Sequence, residues 1–174
     1  MVWLPLMSAA QSSIEKLYSK YAGQEHFTSV NINKELFQML MTIDVQGEGT
    51  EKVKEIQATM SQLDGLKILS FQDSTNKARL SDIYKEFSSH FPSPPYVELM
   101  SVRENGNNIR FLTRQETDGK ILEVVMIADD DGEVTLLSLV GRIDLSTLSK
   151  LSKHMHVQGM DKLDQLQKHH PPKK

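Results

Sequence analysis

The sequence contains no cysteine. This absence excludes a disulfide scaffold, a thiolate nucleophile, a zinc finger and an iron–sulfur site. No apolar run approaches the roughly 20 residues that a transmembrane helix needs. The formal net charge is -3, whereas a general nucleic-acid binder usually carries a basic surface. These absences favour a globular domain and argue against a nucleic-acid partner or a transmembrane segment.

The 174 residues lie in the size range of one domain. We predict a single domain over residues 11–168 and a disordered polar tail over residues 169–174. Residues 1–10 differ from the rest of the chain, because Val2 to Met7 form a short apolar stretch without a pattern. Ser8-Ala9-Ala10 then place small residues before a possible cleavage site at Gln11.

We interpret residues 1–10 as the remnant of a signal peptide, which predicts a periplasmic or secreted protein. The segment lacks the basic region that opens such a peptide, and its apolar part is short. The alternative is an apolar N-terminal arm that packs on the domain. The sequence leaves the oligomeric state open, and a homo-oligomer is one possibility.

The first half of the chain predicts helices and short strands. Apolar spacing and capping residues indicate a helix that begins near Ser12, a short helix capped by Asn33, a helix from Thr50 through Leu63, and a helix over about 76–89. Asp64-Gly65 is expected to end the third helix. The strands predicted in this half are Phe27–Ile32 and Leu66–Phe71.

From Tyr96 the apolar period changes from helical to alternating. The predicted strands are Tyr96–Arg103, Asn108–Gln115, Lys120–Ala128 and Glu133–Gly141. Each break between them carries an Asn-Gly or Asp-Gly pair, at positions 105–106, 118–119 and 131–132, which suits the positive φ angles of tight hairpins. The last two strands are apolar on both faces and should be central or covered on both sides.

The predicted fold class is therefore α+β, an antiparallel β-meander of about four strands. One or two N-terminal strands extend it, and helices cover one face. Since Leu139 lies in an apolar strand at the centre of this sheet, we predict that Leu139→Asp unfolds the domain. Asp144 can cap a further helix that Gly159 ends.

No motif in the sequence identifies an enzyme, a cofactor or a metal site. Asp129-Asp130-Asp131-Gly132 lacks the alternating ligands and bidentate Glu of a calcium loop and is better explained as a hairpin tip. His154 and His156 point apart on a helix end, and His26 and His90 are interpreted as ordinary boundary histidines. Ser138 lies within an apolar strand, outside any nucleophile elbow, and is interpreted as a small packing residue. Glu98, Glu123 and Glu133 lie on or near strands without an evident partner.

Three arginines of the predicted meander form a pattern of their own. Arg103, Arg110 and Arg114 are predicted to share a face of the meander with Tyr96 nearby. Such a face can hold an anionic ligand or an RNA strand. The alternative, which we favour, is a solvated face with cross-strand Arg–Glu pairs, whose available partners are Glu98, Glu104 and Glu116.

The segment from Tyr96 to Leu151 resembles the Bacteroidetes family known as domain of unknown function 4252. The resemblance rests on Tyr96-Val97-Glu98-Leu99-Met100, on Glu123 to Ile127, and above all on the run from Leu137 to Leu145 with Leu148-Ser149-Lys150-Leu151. Upstream, Phe27 to Val30 and Lys34-Glu35-Leu36 fit as well, so the likeness covers about 27–166. It implies an exported protein without an established activity, and therefore no functional residues to transfer.

We therefore expect an exported, non-enzymatic domain that binds a protein partner or a small ligand at the bacterial envelope. One alternative is an enzyme or small-molecule carrier with a pocket between helices and sheet. A further alternative, suggested by the resemblance, is a component of a sigma-factor-linked system that senses envelope stress. No catalytic, cofactor-binding or metal-binding residue is assigned.

Overall fold

The structure is a computed structural model that describes residues 13–41, 53–54, 57–58, 60–117 and 119–143. The helices with defined bounds are α1 (Ser13–Tyr21), α2 (Lys34–Met41) and α3 (Lys77–Ser89). The described residues 53–54, 57–58 and 60 are also helical, within the range where the sequence predicts a helix. The six strands are β1 (Phe27–Asn33), β2 (Leu63–Gln72), β3 (Tyr96–Glu104), β4 (Asn107–Gln115), β5 (Ile121–Asp130) and β6 (Glu133–Ile143). The predicted signal remnant, the C-terminal helix, the polar tail and their histidines lie outside the described residues.

The strands form one antiparallel sheet in the order β1-β2-β6-β5-β4-β3. The predicted meander is confirmed as β3 to β6, and both N-terminal strands extend it, so the sheet has six strands rather than four. Asn105 and Gly106 both have positive φ, as do Asp131 and Gly132, which matches the predicted tight turns. The α+β class is confirmed.

Central strands β5 and β6 are buried on both sides, as predicted. On one face, which we call face A, α1 and α3 pack against the sheet through Ile14, Leu17, Leu80, Ile83 and Phe87. Face B carries a second buried cluster that includes Phe37 of α2. The expectation that helices cover only one face is therefore wrong, because α2 packs on the face opposite α1 and α3.

Two boundaries differ from the sequence-based prediction. Leu63 opens strand β2 instead of ending a helix, because it pairs with Gly141 of β6 and is buried in the face B cluster. Strand β6 continues past Gly141 to Ile143, whose partner on β5 is Ile121. In both cases a neighbouring strand supplies the hydrogen-bond partners that the local sequence does not reveal.

Two of the predicted helix starts are confirmed by their capping residues. Asn76 caps α3 by accepting a hydrogen bond from the amide of Arg79 at 3.1 Å. Asn33 does the same for α2 by accepting from the amide of Leu36 at 3.1 Å. Such caps satisfy an amide that the first helical turn leaves without a partner.

Candidate functional site

The three arginines of the meander lie on face A, as predicted. Arg110 and Arg114 alternate along β4 with the buried Leu112 of the face A cluster. Arg103 of β3 pairs with Asn108 of β4, and Tyr96 pairs with Arg114. The pleat places residues two apart on the same side of a strand, so the arginines form a row across the β3–β4 edge of the sheet.

Two arginines of this row, Arg110 and Arg114, each contact a glutamate. Arg110 donates from Nε to Glu98 at 2.7 Å, and both side chains are partly exposed. This confirms the predicted cross-strand pairing for Arg110. Arg114 instead donates to Glu123 at 3.2 Å, and the Glu123 side chain is fully buried. A half-exposed pair contributes little to stability, whereas a buried carboxylate depends on its partners.

Glu123 lies at the centre of a polar cluster contributed by four strands. Tyr96 of β3 donates to its Oε2 at 2.9 Å, and Ser138 of β6 donates to its Oε1 at 2.7 Å. Together with Arg114 of β4, these donors hold the carboxylate of β5 in place. Ser138, interpreted from the sequence as a small packing residue, is therefore also a hydrogen-bond donor. This closed arrangement ties the strands together and leaves Glu123 shielded from solvent.

The two arginine pairs predict unequal effects on stability. Arg114→Met removes the guanidinium beside the buried Glu123, and we expect the free energy of unfolding to fall by about 2 kcal/mol. That is less than the roughly 3–5 kcal/mol typical of breaking a buried pair, because Tyr96 and Ser138 still donate. Arg110→Met should cost less than about 1 kcal/mol, because Glu98 can be solvated. Denaturant unfolding of both variants measures the difference, and equal losses would contradict the structural role assigned to Glu123.

A cleft opens beside this row, between α3 and the β3–β4 hairpin. Its volume is about 490 Å³, and it is a shallow groove rather than an enclosed cavity. Helix and strands each contribute four side chains to its lining: Tyr84, Lys85, Ser88 and Ser89 from α3, and Glu98, Arg103, Asn108 and Arg110 from β3 and β4. Tyr84 and Ser88 are four residues apart and so lie on the same side of the helix.

Three buried polar atoms in this cleft have no hydrogen-bond partner within the described ranges. They are the Tyr84 hydroxyl, the Ser88 Oγ and the Asn108 Oδ1, and no other buried side-chain oxygen or nitrogen in the described part of the chain shares this state. The two hydroxyls come from adjacent turns of α3, and Ser88 lies close enough to lower the pKa of Tyr84 against the effect of burial, but neither hydroxyl makes a hydrogen bond of good geometry to a described residue. Buried polar groups are nearly always paired, so their concentration at one cleft is the main feature of the site.

The electrostatics of the cleft favour an anion. Burial raises the pKa of the Tyr84 hydroxyl above its usual value, so this group is a neutral donor and acceptor at physiological pH. Burial, together with the neighbouring Asp130, also raises the pKa of Asp129, the cross-strand partner of Asn108. Of the cations, Arg103 makes no ion pair with any described residue, whereas Arg110 contacts Glu98.

The remaining sequence candidates lie elsewhere. Asp131 and Gly132 form the β5–β6 turn, and Asp130 accepts a hydrogen bond from Asn107, as expected of a hairpin tip. His26 is exposed and lies edge-on to Phe71, and His90 ends α3 with its ring nitrogen 2.9 Å from the Glu86 carbonyl. No group of three or more potential metal ligands occurs in the described ranges. None of the described helices is long and apolar enough to span a bilayer.

Residues 18–151 match the family model described as "Domain of unknown function (DUF4252)". The chain belongs to this family. The match contains the whole six-stranded sheet, helix α3 and therefore every residue that lines the cleft. No curated protein matches the chain. The DUF4252 assignment thus defines the domain in which the cleft lies without assigning it a ligand.

Sequence reasoning found the arginines of this site but missed its helical half. In the sequence Tyr84 is one apolar position of the α3 stripe, and Ser88 and Asn108 carry no signal of their own. The helical pattern does place Tyr84 and Ser88 on the buried side of α3, and polar atoms on a buried side need hydrogen-bond partners. Which strand faces them depends on the packing of α3 across the meander.

Proposed function

We propose that this protein is a non-enzymatic binding domain and that its ligand occupies the cleft between α3 and the β3–β4 hairpin. The observation that carries this proposal is the set of three buried, unpartnered polar atoms on Tyr84, Ser88 and Asn108. An unmade hydrogen bond at a buried group costs free energy. A ligand that supplies the missing partners recovers that cost when it binds, which gives the cleft both affinity and selectivity.

The cleft is suited to holding a ligand rather than to transforming it. Its carboxylate, Glu98, is already held by a hydrogen bond from Arg110 at 2.7 Å. The other lining groups are hydroxyls, an amide and cations, which bind and orient polar ligands. The composition of residues 1–10 and the character of the family resemblance support a place of action at the bacterial envelope.

Two tyrosine substitutions test whether the cleft holds its polar groups for a ligand. Tyr84→Phe removes a buried hydroxyl that has no partner, so we expect the ligand-free protein to become more stable by about 0.5–1 kcal/mol. Tyr21→Phe is the matched control, because the Tyr21 hydroxyl donates to Glu86 at 2.6 Å. Its loss should lower the free energy of unfolding by about 1 kcal/mol.

The measurement is denaturant unfolding of the purified protein and both variants. Opposite signs for the two substitutions support a cleft whose polar groups are kept for binding at a cost in stability. If Tyr84→Phe is destabilising to the same extent as Tyr21→Phe, the Tyr84 hydroxyl is satisfied within the protein itself, and the proposed binding function loses its main support.

A further inference from the structure

We propose that the ligand of this cleft is a small oxyanion that also carries a hydroxyl group, namely a hydroxycarboxylate or a polyol phosphate. The inference rests on the proposed function and deepens it by naming the class of ligand. It follows from two features of the lining that make opposite demands on a ligand: a cation that requires negative charge, and an acceptor that requires a donor.

The cationic side of the cleft calls for an oxyanion. Lys85, Arg103 and Arg110 line it together with one carboxylate, Glu98, which Arg110 already contacts. Asp129, which acts electrostatically on Tyr84, is a second carboxylate near the cleft. Lys85 lies 4.0 Å from Asp82, and both of these side chains are largely exposed. Arg103 lines the cleft without an ion pair to any described residue. The planar guanidinium matches the geometry of a carboxylate or a phosphate.

The strand side of the cleft, which carries Arg103 and Arg110, also requires a hydrogen-bond donor. The unpartnered atom of Asn108 is Oδ1, and an amide oxygen can only accept. An ionised carboxylate or a phosphate dianion has no proton to donate, whereas a hydroxyl on the same molecule does. Because Asn108 is the cross-strand partner of Arg103, a hydroxyl close to the anionic group is within reach of both residues.

The two helix hydroxyls complete this arrangement. Tyr84 and Ser88 each offer one donor and also accept, so they can donate to the anion or accept from the ligand hydroxyl. A volume of about 490 Å³ falls within the roughly 300–1,000 Å³ range of ligand pockets. The groove is open, so a compact ligand can enter it, and the side chains that cover the three buried polar atoms turn aside when it binds.

Matched probes test the requirement for an anion and the requirement for a hydroxyl group separately. The full chain is titrated by NMR with glycerate, with propanoate (the same anion without hydroxyls) and with glycerol (the hydroxyls without the anion). A parallel pair, glycerol 3-phosphate and propyl phosphate, distinguishes a phosphate ligand from a carboxylate. We expect the hydroxylated member of at least one pair to bind about fivefold more tightly than its partner, as one net hydrogen bond would give. Glycerol should cause no shifts in the cleft.

Two variants test which residue binds the anion and which residue binds the hydroxyl group. Arg103→Gln should lower the affinity for both anions of a pair by about tenfold and leave the ratio of the two affinities unchanged. Arg142→Gln, at an exposed position on β6, is the control and should have no effect. Asn108→Ala should remove the preference for the hydroxylated probe. If this variant does not fold, the ratio measured on the unmodified chain decides.

Three results would overturn this choice of ligand class. They are equal affinity for the two members of both pairs, an affinity for the anions that Arg103→Gln does not lower, and no binding of any probe. The binding function itself is judged separately by the opposite stability changes of Tyr84→Phe and Tyr21→Phe. A stabilising Tyr84→Phe combined with no binding of these probes would therefore retain the cleft as a binding site and reject the hydroxylated oxyanion.

Discussion

Leu139→Asp is expected to leave the domain unfolded in the absence of denaturant. Leu139 lies on β6 between Leu66 of β2 and Val124 of β5, and only 2% of it is exposed. The substitution removes a large apolar side chain from the face B cluster and places a carboxylate there. Loss of the leucine alone costs about 2–5 kcal/mol, and burial of an unpaired polar group adds several more. Domains of this size have about 5–15 kcal/mol of stability in total.

Val97→Asp is the matched control for this prediction. Val97 lies on edge strand β3 and is 54% exposed, so the same carboxylate would remain solvated there. We expect an effect within about 1 kcal/mol, as for most exposed positions. Circular dichroism and urea unfolding measure both variants. An unchanged unfolding midpoint for Leu139→Asp would contradict the central position of β6.

Gly141→Ala is expected to destabilise the protein by about 3 kcal/mol or more, because the added methyl group has no room. Gly141 has a φ of 155°, and a Cβ built there would lie 2.3 Å from the carbonyl oxygen of Gln62 and 2.8 Å from the Cα of Leu63. Both are backbone atoms, so no side chain can move aside. The same carbonyl accepts a hydrogen bond from the amide of Arg142 at 3.0 Å, and relieving the clash would disrupt it.

Gly65→Ala is the control, since it lies on the paired strand only two residues from Leu63. A Cβ at Gly65 would be 3.6 Å from the carbonyl oxygen of Ile32, an ordinary contact, and its φ is not positive. We expect a change within about 0.5 kcal/mol, with a gain possible because alanine restricts the unfolded chain. Thermal and denaturant unfolding compare the two glycines. Similar small effects at both would show that β2 and β6 do not approach as closely as the structure has them.

The elements with strong local signals could be predicted from the sequence. The asparagine caps of α2 and α3 and the hairpin turns at 105–106 and 131–132 depend on neighbouring residues alone. The alternation along β4 placed Arg110 and Arg114 on one face, because the pleat fixes the side on which each residue lies. The double-sided apolar character of β5 and β6 predicted their burial on both faces.

Other features depend on residues that are distant in the sequence. Leu63 follows a helical apolar stripe, but its pairing with β6 makes it part of a strand, since tertiary contacts outweigh weak local preferences. Gly141 has the local character of a strand end, yet β6 continues beyond it because Ile143 pairs with Ile121 of β5. Only glycine fits at position 141, because the backbone at Gln62 and Leu63 approaches it closely. Phe37 places α2 on face B, and no local signal indicates which face a short amphipathic helix will choose.

The same distinction applies to the candidate site. The existence of the strands, the turns and the cationic row could be predicted, because these follow from periodicity, turn chemistry and the alternation of side chains. Only the tertiary structure gave Glu123 its partners from three other strands and set α3 against the β3–β4 hairpin. That packing leaves the polar atoms of Tyr84, Ser88 and Asn108 buried without partners in one cleft. Their hydrogen bonds depend on long-range contacts, which local sequence patterns do not encode.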